Sequence, residues 1–171
     1  MRERGFTLIE SLVVIAVIGI LIVASYPGIQ NALTVRNLEN EARNVMTTLQ
    51  QAKFQAARVK LTHRVRFDDS SGRWIYFIEQ ELTDGTWHEI SGLFRKSMRS
   101  RYTITVNLPV PADGAAGKTV MFLPFGSVPD YDPNLLFNIS IHDANLARQG
   151  QPGTRNVYIY AGGSIRYEKA S

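Results

Sequence analysis

The hydrophobic period changes along the chain, and each change marks a new kind of element. From Phe6 to Tyr26, Leu, Ile, Val and Ala run almost unbroken, with Gly19 inside the run and a single acid, Glu10. A helix over that stretch reaches about 30 Å, the thickness of a bilayer's hydrocarbon layer. Further on, Leu38, Ala42, Val45, Leu49, Ala52, Ala56 and Val59 recur at alternating spacings of four and three. That spacing predicts one apolar stripe on an amphipathic helix, with Arg36, Glu39, Arg43, Lys53 and Lys60 largely off it. Between the two stretches Pro27 removes a backbone donor and crowds the preceding turn. A helix kink or local unwinding is expected there, near residues 24–28.

From Thr62 the period falls to two. His63–Phe67 and Arg73–Ile78 alternate on either side of the turn residues Asp68 to Gly72, which predicts a hairpin. Thr86–Ile90, after Asp84-Gly85, is a weaker third strand. Tyr102, Ile104, Val106 and Leu108 mark a half-buried strand, and Pro109–Gly117 is a loop rich in Pro, Gly and Ala. Thr119–Leu123 and Asn138–Ile141 are short strands. Asn156–Tyr160 and Ser164–Tyr167, joined through Ala161-Gly162-Gly163, give the clearest hairpin signal. One long helix followed only by closely connected strands predicts an α+β fold. A mainly antiparallel β-sheet head packs one face on the helix's stripe. The expected division is a leader at 1–5, a membrane-spanning helix at 6–28, its amphipathic continuation at 29–61 and a globular head at 62–171.

Glu10 changes this picture most. A carboxylate inside an apolar span costs a few kcal/mol or more and by default marks function. Were the chain cut between Gly5 and Phe6, the new α-amine, with a reference pKa of roughly 8, would be mostly protonated just ahead of the helix. That cation could meet Glu10 of its own chain, or of a neighbouring copy. In the second case each buried charge finds its counterpart only on assembly, and neutralisation selects side-by-side packing of helices. A Sec-type signal peptide ending near Val23-Ala24-Ser25 is the competing reading. It is opposed by the acid within the run and by the helical pattern beyond Tyr26. A plain membrane anchor leaves Gly5 and Glu10 unexplained.

Gly5-Phe6-Thr7-Leu8-Ile9-Glu10, after the short basic head Met1–Arg4, resembles the class III signal of type IV pilins and type II secretion pseudopilins. The resemblance implies cleavage after Gly5 by a prepilin peptidase, N-methylation of Phe6, and a filament core built from such helices. Glu10 takes the family's acidic position and Pro27 that of its helix-bending proline. Ala42–Arg58, ending in Ala-Arg before the first hairpin, and Gly163-Ser164-Ile165-Arg166 resemble the GspH/FimT minor pilins and pseudopilins. Ser164 stands where members often have a second basic residue. The resemblance implies a structural minor subunit at or near a filament tip, with other pilins as partners. Arg2 and Arg4 put the N-terminus on the cytoplasmic side by the positive-inside rule. The chain then crosses the inner membrane once and carries its head in the periplasm.

Composition adds exclusions. With no Cys, disulfide and thiolate chemistry are absent. His63, His88 and His142 stand apart without ligand-spaced neighbours, and Asp68-Asp69 and Asp130-Tyr131-Asp132 read as turn acids rather than a Ca²⁺ loop. No phosphate-binding Gly-rich loop or nucleophile elbow appears, so neither an enzyme nor a cofactor is expected. The formal net charge of +4 permits acidic partners without requiring them. Two basic groupings remain: Arg58, Lys60, Arg64 and Arg66, and the denser Arg95, Lys96, Arg99 and Arg101, with Arg166 and Lys169 beside either. Because some FimT-type minor pilins bind DNA, the resemblance raises Arg95, Lys96, Arg99, Arg101 and Arg166 as a salt-sensitive DNA contact. Pairing with Glu79, Glu81 and Glu89 on nearby strands is the competing use of these cations.

Overall fold

The computed structural model describes residues 7–90, 92, 95–129 and 131–170. Gly5, Phe6 and Asp130 lie outside them. The first element is a helix, α1, over Leu8–Val59. Thr7 opens it: its hydroxyl accepts from the Glu10 amide at 3.3 Å and its carbonyl from the Ser11 amide at 3.2 Å. This is N-cap chemistry, which satisfies donors that the first turn leaves free. The helix runs through Pro27 without a break, so the expected unwinding at residues 24–28 does not occur. Proline deletes one hydrogen bond of the ladder, and the turns on both sides keep theirs. Lys60, at a φ of 60°, takes the left-handed conformation that ends the helix.

The chain divides into two compact units, Met1–Arg36 and Asn37–Ser171. In the first, the apolar side chains of α1 from Leu8 to Leu33 stand exposed and Val35 is half-buried. In the second, the helix supplies a wall of the core. Leu38, Ala42, Val45, Leu49, Ala52 and Ala56 are fully buried, so the predicted stripe is the packing face, whereas Val59 at its end is exposed. Thr48 is buried with them and turns its hydroxyl back to the Asn44 carbonyl at 3.0 Å.

The strands are β1 His63–Asp68, β2 Ile75–Glu81, β3 Trp87–Glu89, β4 Lys96–Ser97, β5 Thr103–Asn107, β6 Lys118–Phe122, β7 Asn138–His142, β8 Thr154–Ile159 and β9 Ile165–Ala170. They form two sheets where one was expected. One has the order β3-β2-β1-β6, with β4 also on β2, and the other has β5-β7-β8-β9; every pairing is antiparallel. The division follows from β1 taking β6 as its second neighbour while β5 takes β7. Pairings between strands so far apart in sequence leave no local trace. Gly117 makes the first possible. At φ +97° it passes so close to β1 that a Cβ would overlap the Phe67 carbonyl.

Both sheets turn alternate residues inward: Val65, Phe67, Tyr76, Ile78, Val120 and Phe122 from one, Ile139, Ile141, Val157 and Ile159 from the other. Polar contacts tie α1 to both. The Lys53 ammonium donates to the Gly163 carbonyl at 2.8 Å in the β8–β9 turn, and Lys96 of β4 donates to the Thr48 hydroxyl at 3.0 Å. Arg155 of β8 is fully buried and reaches Glu39 of α1 at 3.5 Å, while Arg43 lies over the Tyr167 ring at 5.0 Å. A short helix, α2 over Ala144–Arg148, is capped by Asp143, whose side chain accepts from the Asn145 and Leu146 amides.

Titratable groups give the head an acid-side weakness. Burial holds the His63 imidazole below its usual pKa of 6.5, despite its bond to the Leu61 carbonyl. Bonding to Arg64 holds the Asp113 carboxyl low. Desolvation pushes Asp143 up, but its bonds to Arg101, Asn145 and Leu146 outweigh this and the net shift is downward. In each case the unfolded chain takes up the proton first as pH falls. The stability tied to His63 is therefore lost below about pH 6.5 and that tied to the aspartates below about pH 4. Glu41 acts oppositely: burial raises its pKa, so its ionised form costs the folded state and acidification relieves that cost. A His63→Gln variant is expected to lose less melting temperature between pH 7 and 5.5 than the parent, measured by circular dichroism.

Candidate assembly helix and the basic groups of the head

Residues 8–25 of α1 form a helix that is long and apolar enough to cross a membrane, and none of that window is buried. Leu8 is 83% exposed, Ile15 70% and Val23 75%, values that describe a surface built to be covered by lipid or by other helices. The few hydroxyls on it are turned back onto the helix. Ser25 donates to the Leu21 carbonyl at 2.8 Å and Ser11 to that of Thr7 at 3.4 Å. Glu10 stands exposed in the first turn and has no salt bridge among the described residues. Its carboxylate is the one acidic group on this surface. Around Glu10 the backbone is held by Thr7, so the acid is carried on regular helix.

The head places the basic residues differently from their spacing in sequence. Arg64 is buried beneath the outer face of the first sheet. It bonds Glu79 at 2.6 Å and Asp113 at 2.8 Å and stacks on Trp87 at 4.1 Å, while Arg66 reaches Glu79 at 3.4 Å. These two are structural and not available as a surface patch. In the denser grouping, Arg95 pairs with Glu89 at 2.9 Å and lies over Phe77 at 4.4 Å. Arg99 faces Glu41 at 3.8 Å, Arg101 bonds Asp143 at 2.6 Å, and Lys96 is drawn to Thr48. Arg166 sits on β9, exposed and opposite Tyr158, away from that loop. Four of the five sequence-predicted cations thus contact a polar partner within the head, and Arg166 stands on a different strand from them.

His142 shares a hydrogen bond with Thr154, His88 is exposed, and Asp68 and Asp132 accept from the Ser70 and Asn134 amides as turn acids. Among the described residues no group of three metal-ligating side chains comes together. What sequence reading missed was the role of Lys53. It clamps the β8–β9 turn, and Gly126 and Gly163 leave room for it.

Residues 1–26 match the family model described as the prokaryotic N-terminal methylation motif. A stretch of 91 residues, 53% of the chain, is 30% identical to type II secretion system protein H of Aeromonas hydrophila; it spans 48% of that protein, about half its length. The fold is similar to that of the minor pseudopilin EpsH from the type 2 secretion system of Vibrio cholerae. That likeness has a TM-score of 0.56 at 16% identity, over 77% of this chain and 95% of that one. It is also similar to the type IV minor pilin FimU of Pseudomonas aeruginosa, with a TM-score of 0.52 at 19% identity over 80% and 92% of the two chains. A methylation motif on an exposed apolar helix, with this α+β head behind it, gives the chain a build similar to that of these pilins and pseudopilins.

Proposed function

We propose that the protein is a structural minor subunit, a pilin or pseudopilin, of a type IV pilus or type II secretion pseudopilus. It assembles through its N-terminal helix at or near the filament tip and is anchored in the inner membrane beforehand, with its head in the periplasm. The observation that carries this reading is the methylation motif in register with an uncovered apolar helix whose one acid is Glu10. In this reading residues 1–5 are a leader removed by a prepilin peptidase and Phe6 becomes the methylated N-terminus. Residues 6–28 then join the filament core, 29–61 continue the helix and 62–171 form the head. Other pilins are the partners, and the role calls for no catalysis.

Sequencing the mature N-terminus after co-expression with a prepilin peptidase tests it. A start at methyl-Phe6 is expected, and Gly5→Val should accumulate as full-length precursor on immunoblots, since a branched side chain crowds the scissile carbonyl. A start at Ser25 would return the chain to the Sec-type reading. The structural role is preferred to DNA capture because the sequence-predicted cations are divided: Arg95 is paired with Glu89 at 2.9 Å, and Arg166 stands on β9 opposite Tyr158. Retardation of a short duplex at low salt, lost on charge reversal of these residues, would reverse that preference.

A further inference from the structure

The turn between β1 and β2 and the connection between β4 and β5 enclose an open cavity of about 300 Å³, lined by Arg73, Ser97, Met98, Arg99, Ser100 and Arg101. Its shape is fixed from below. Met98 is buried and its amide donates to the Trp74 carbonyl at 2.8 Å, while the Tyr102 amide closes a turn onto Arg99 at 3.2 Å. Three arginines therefore line one void, and their neutralisation is incomplete. Arg73 has no salt bridge among the described residues. Arg99 reaches Glu41 only at 3.8 Å through Nε, and burial pushes that carboxyl toward its neutral form. Arg101 gives one Nη2 to Asp143, whose other oxygen caps α2, and the rest of its fork is unspent.

We propose that this cavity is a binding site for a single phosphate-type oxyanion. Three arginines and two serines around one void carry more donors than the two oxygens of a carboxylate accept, and a tetrahedral anion with up to four oxygens matches them better. The arrangement also differs from a nucleic-acid track, which needs cations spaced along a line of phosphates rather than gathered around one volume. Arg73 is the decisive residue. It is exposed and bound to no acid among the described residues, so its removal tests the site without disturbing the fold.

The test is calorimetric titration of the full-length protein in nonionic detergent with potassium phosphate, at ionic strength held constant with potassium chloride. Saturable binding at one site is expected. Arg73→Gln should weaken it on the order of fivefold or more, as fits the loss of a charge-assisted pair, with no change in unfolding temperature. Arg166→Gln removes the same charge outside the cavity and should leave the affinity unchanged. A parallel titration with glycerophosphoglycerol distinguishes the sources. Tighter binding of the diester points to a lipid-type phosphate, and tighter binding of inorganic phosphate to a free anion. A heat no larger than that of chloride, or equal weakening by Arg166→Gln and Arg73→Gln, overturns the proposal.

Discussion

Glu10→Ala is expected to leave the head folded and the helix in the membrane, yet to lower incorporation into filaments at least about tenfold, as fits losing one buried ion pair. The substitution makes the span more apolar, so insertion alone should improve. Under the proposed function, what it removes is the counter-charge for the amine of an adjacent processed subunit. Stranding one charge of a buried pair typically costs about 3–5 kcal/mol, more than enough for that loss. The measurement is the ratio of subunit in sheared filaments to subunit in membranes. The melting temperature of the purified protein serves as the folding control. Equal incorporation of the variant and the parent would remove Glu10 from the assembly mechanism.

Gly163→Ala is expected to destabilise the head by roughly 3–5 kcal/mol, lowering its melting temperature by about 10–20 °C. Three effects add. The residue sits at φ +68°, where a side chain is strained by about 1–2 kcal/mol. Its new Cβ would overlap the Gly126 carbonyl oxygen, forcing the β8–β9 turn away from the β6–β7 connection. That movement pulls the Gly163 carbonyl off the Lys53 ammonium, a charge-assisted bond worth roughly 1.5–3 kcal/mol. Gly162→Ala is the internal control. A methyl group there would meet nothing within 4 Å and the φ is not positive, so thermal unfolding should barely move. Similar losses in both variants would mean that the turn, and not the close approach, sets the cost.

Much of this was legible in the residues. The stripe from Leu38 to Ala56 could be read because a helix buries every third or fourth side chain, and the same periodicity decides its packing face. The two hairpins β1–β2 and β8–β9 could be read because each couples alternation to a turn. The pairings β1 with β6 and β5 with β7 could not, since partner choice between distant strands is made by tertiary packing. β4, with two residues, and α2, with five, are too short to show a period. Arg64 illustrates the other limit. Alternation puts it on a polar face, and only the structure brings Asp113 and Trp87 over that face and makes it interior. Gly5 and Phe6, the proposed processing residues, lie outside the described residues, and their assignment comes from the motif.

The helix's contribution to the interior decides where a soluble version of the protein could begin. Starting at Thr62 would discard the side chains from Leu38 to Ala56 and open one wall of the hydrophobic interior to water. It would also leave the buried guanidinium of Arg155 without the Glu39 carboxylate beside it. A chain trimmed to begin near Ile29 sheds the greasy span and keeps both. Aggregation of the shorter version should therefore be laid to a missing wall rather than to a poorly folding sheet.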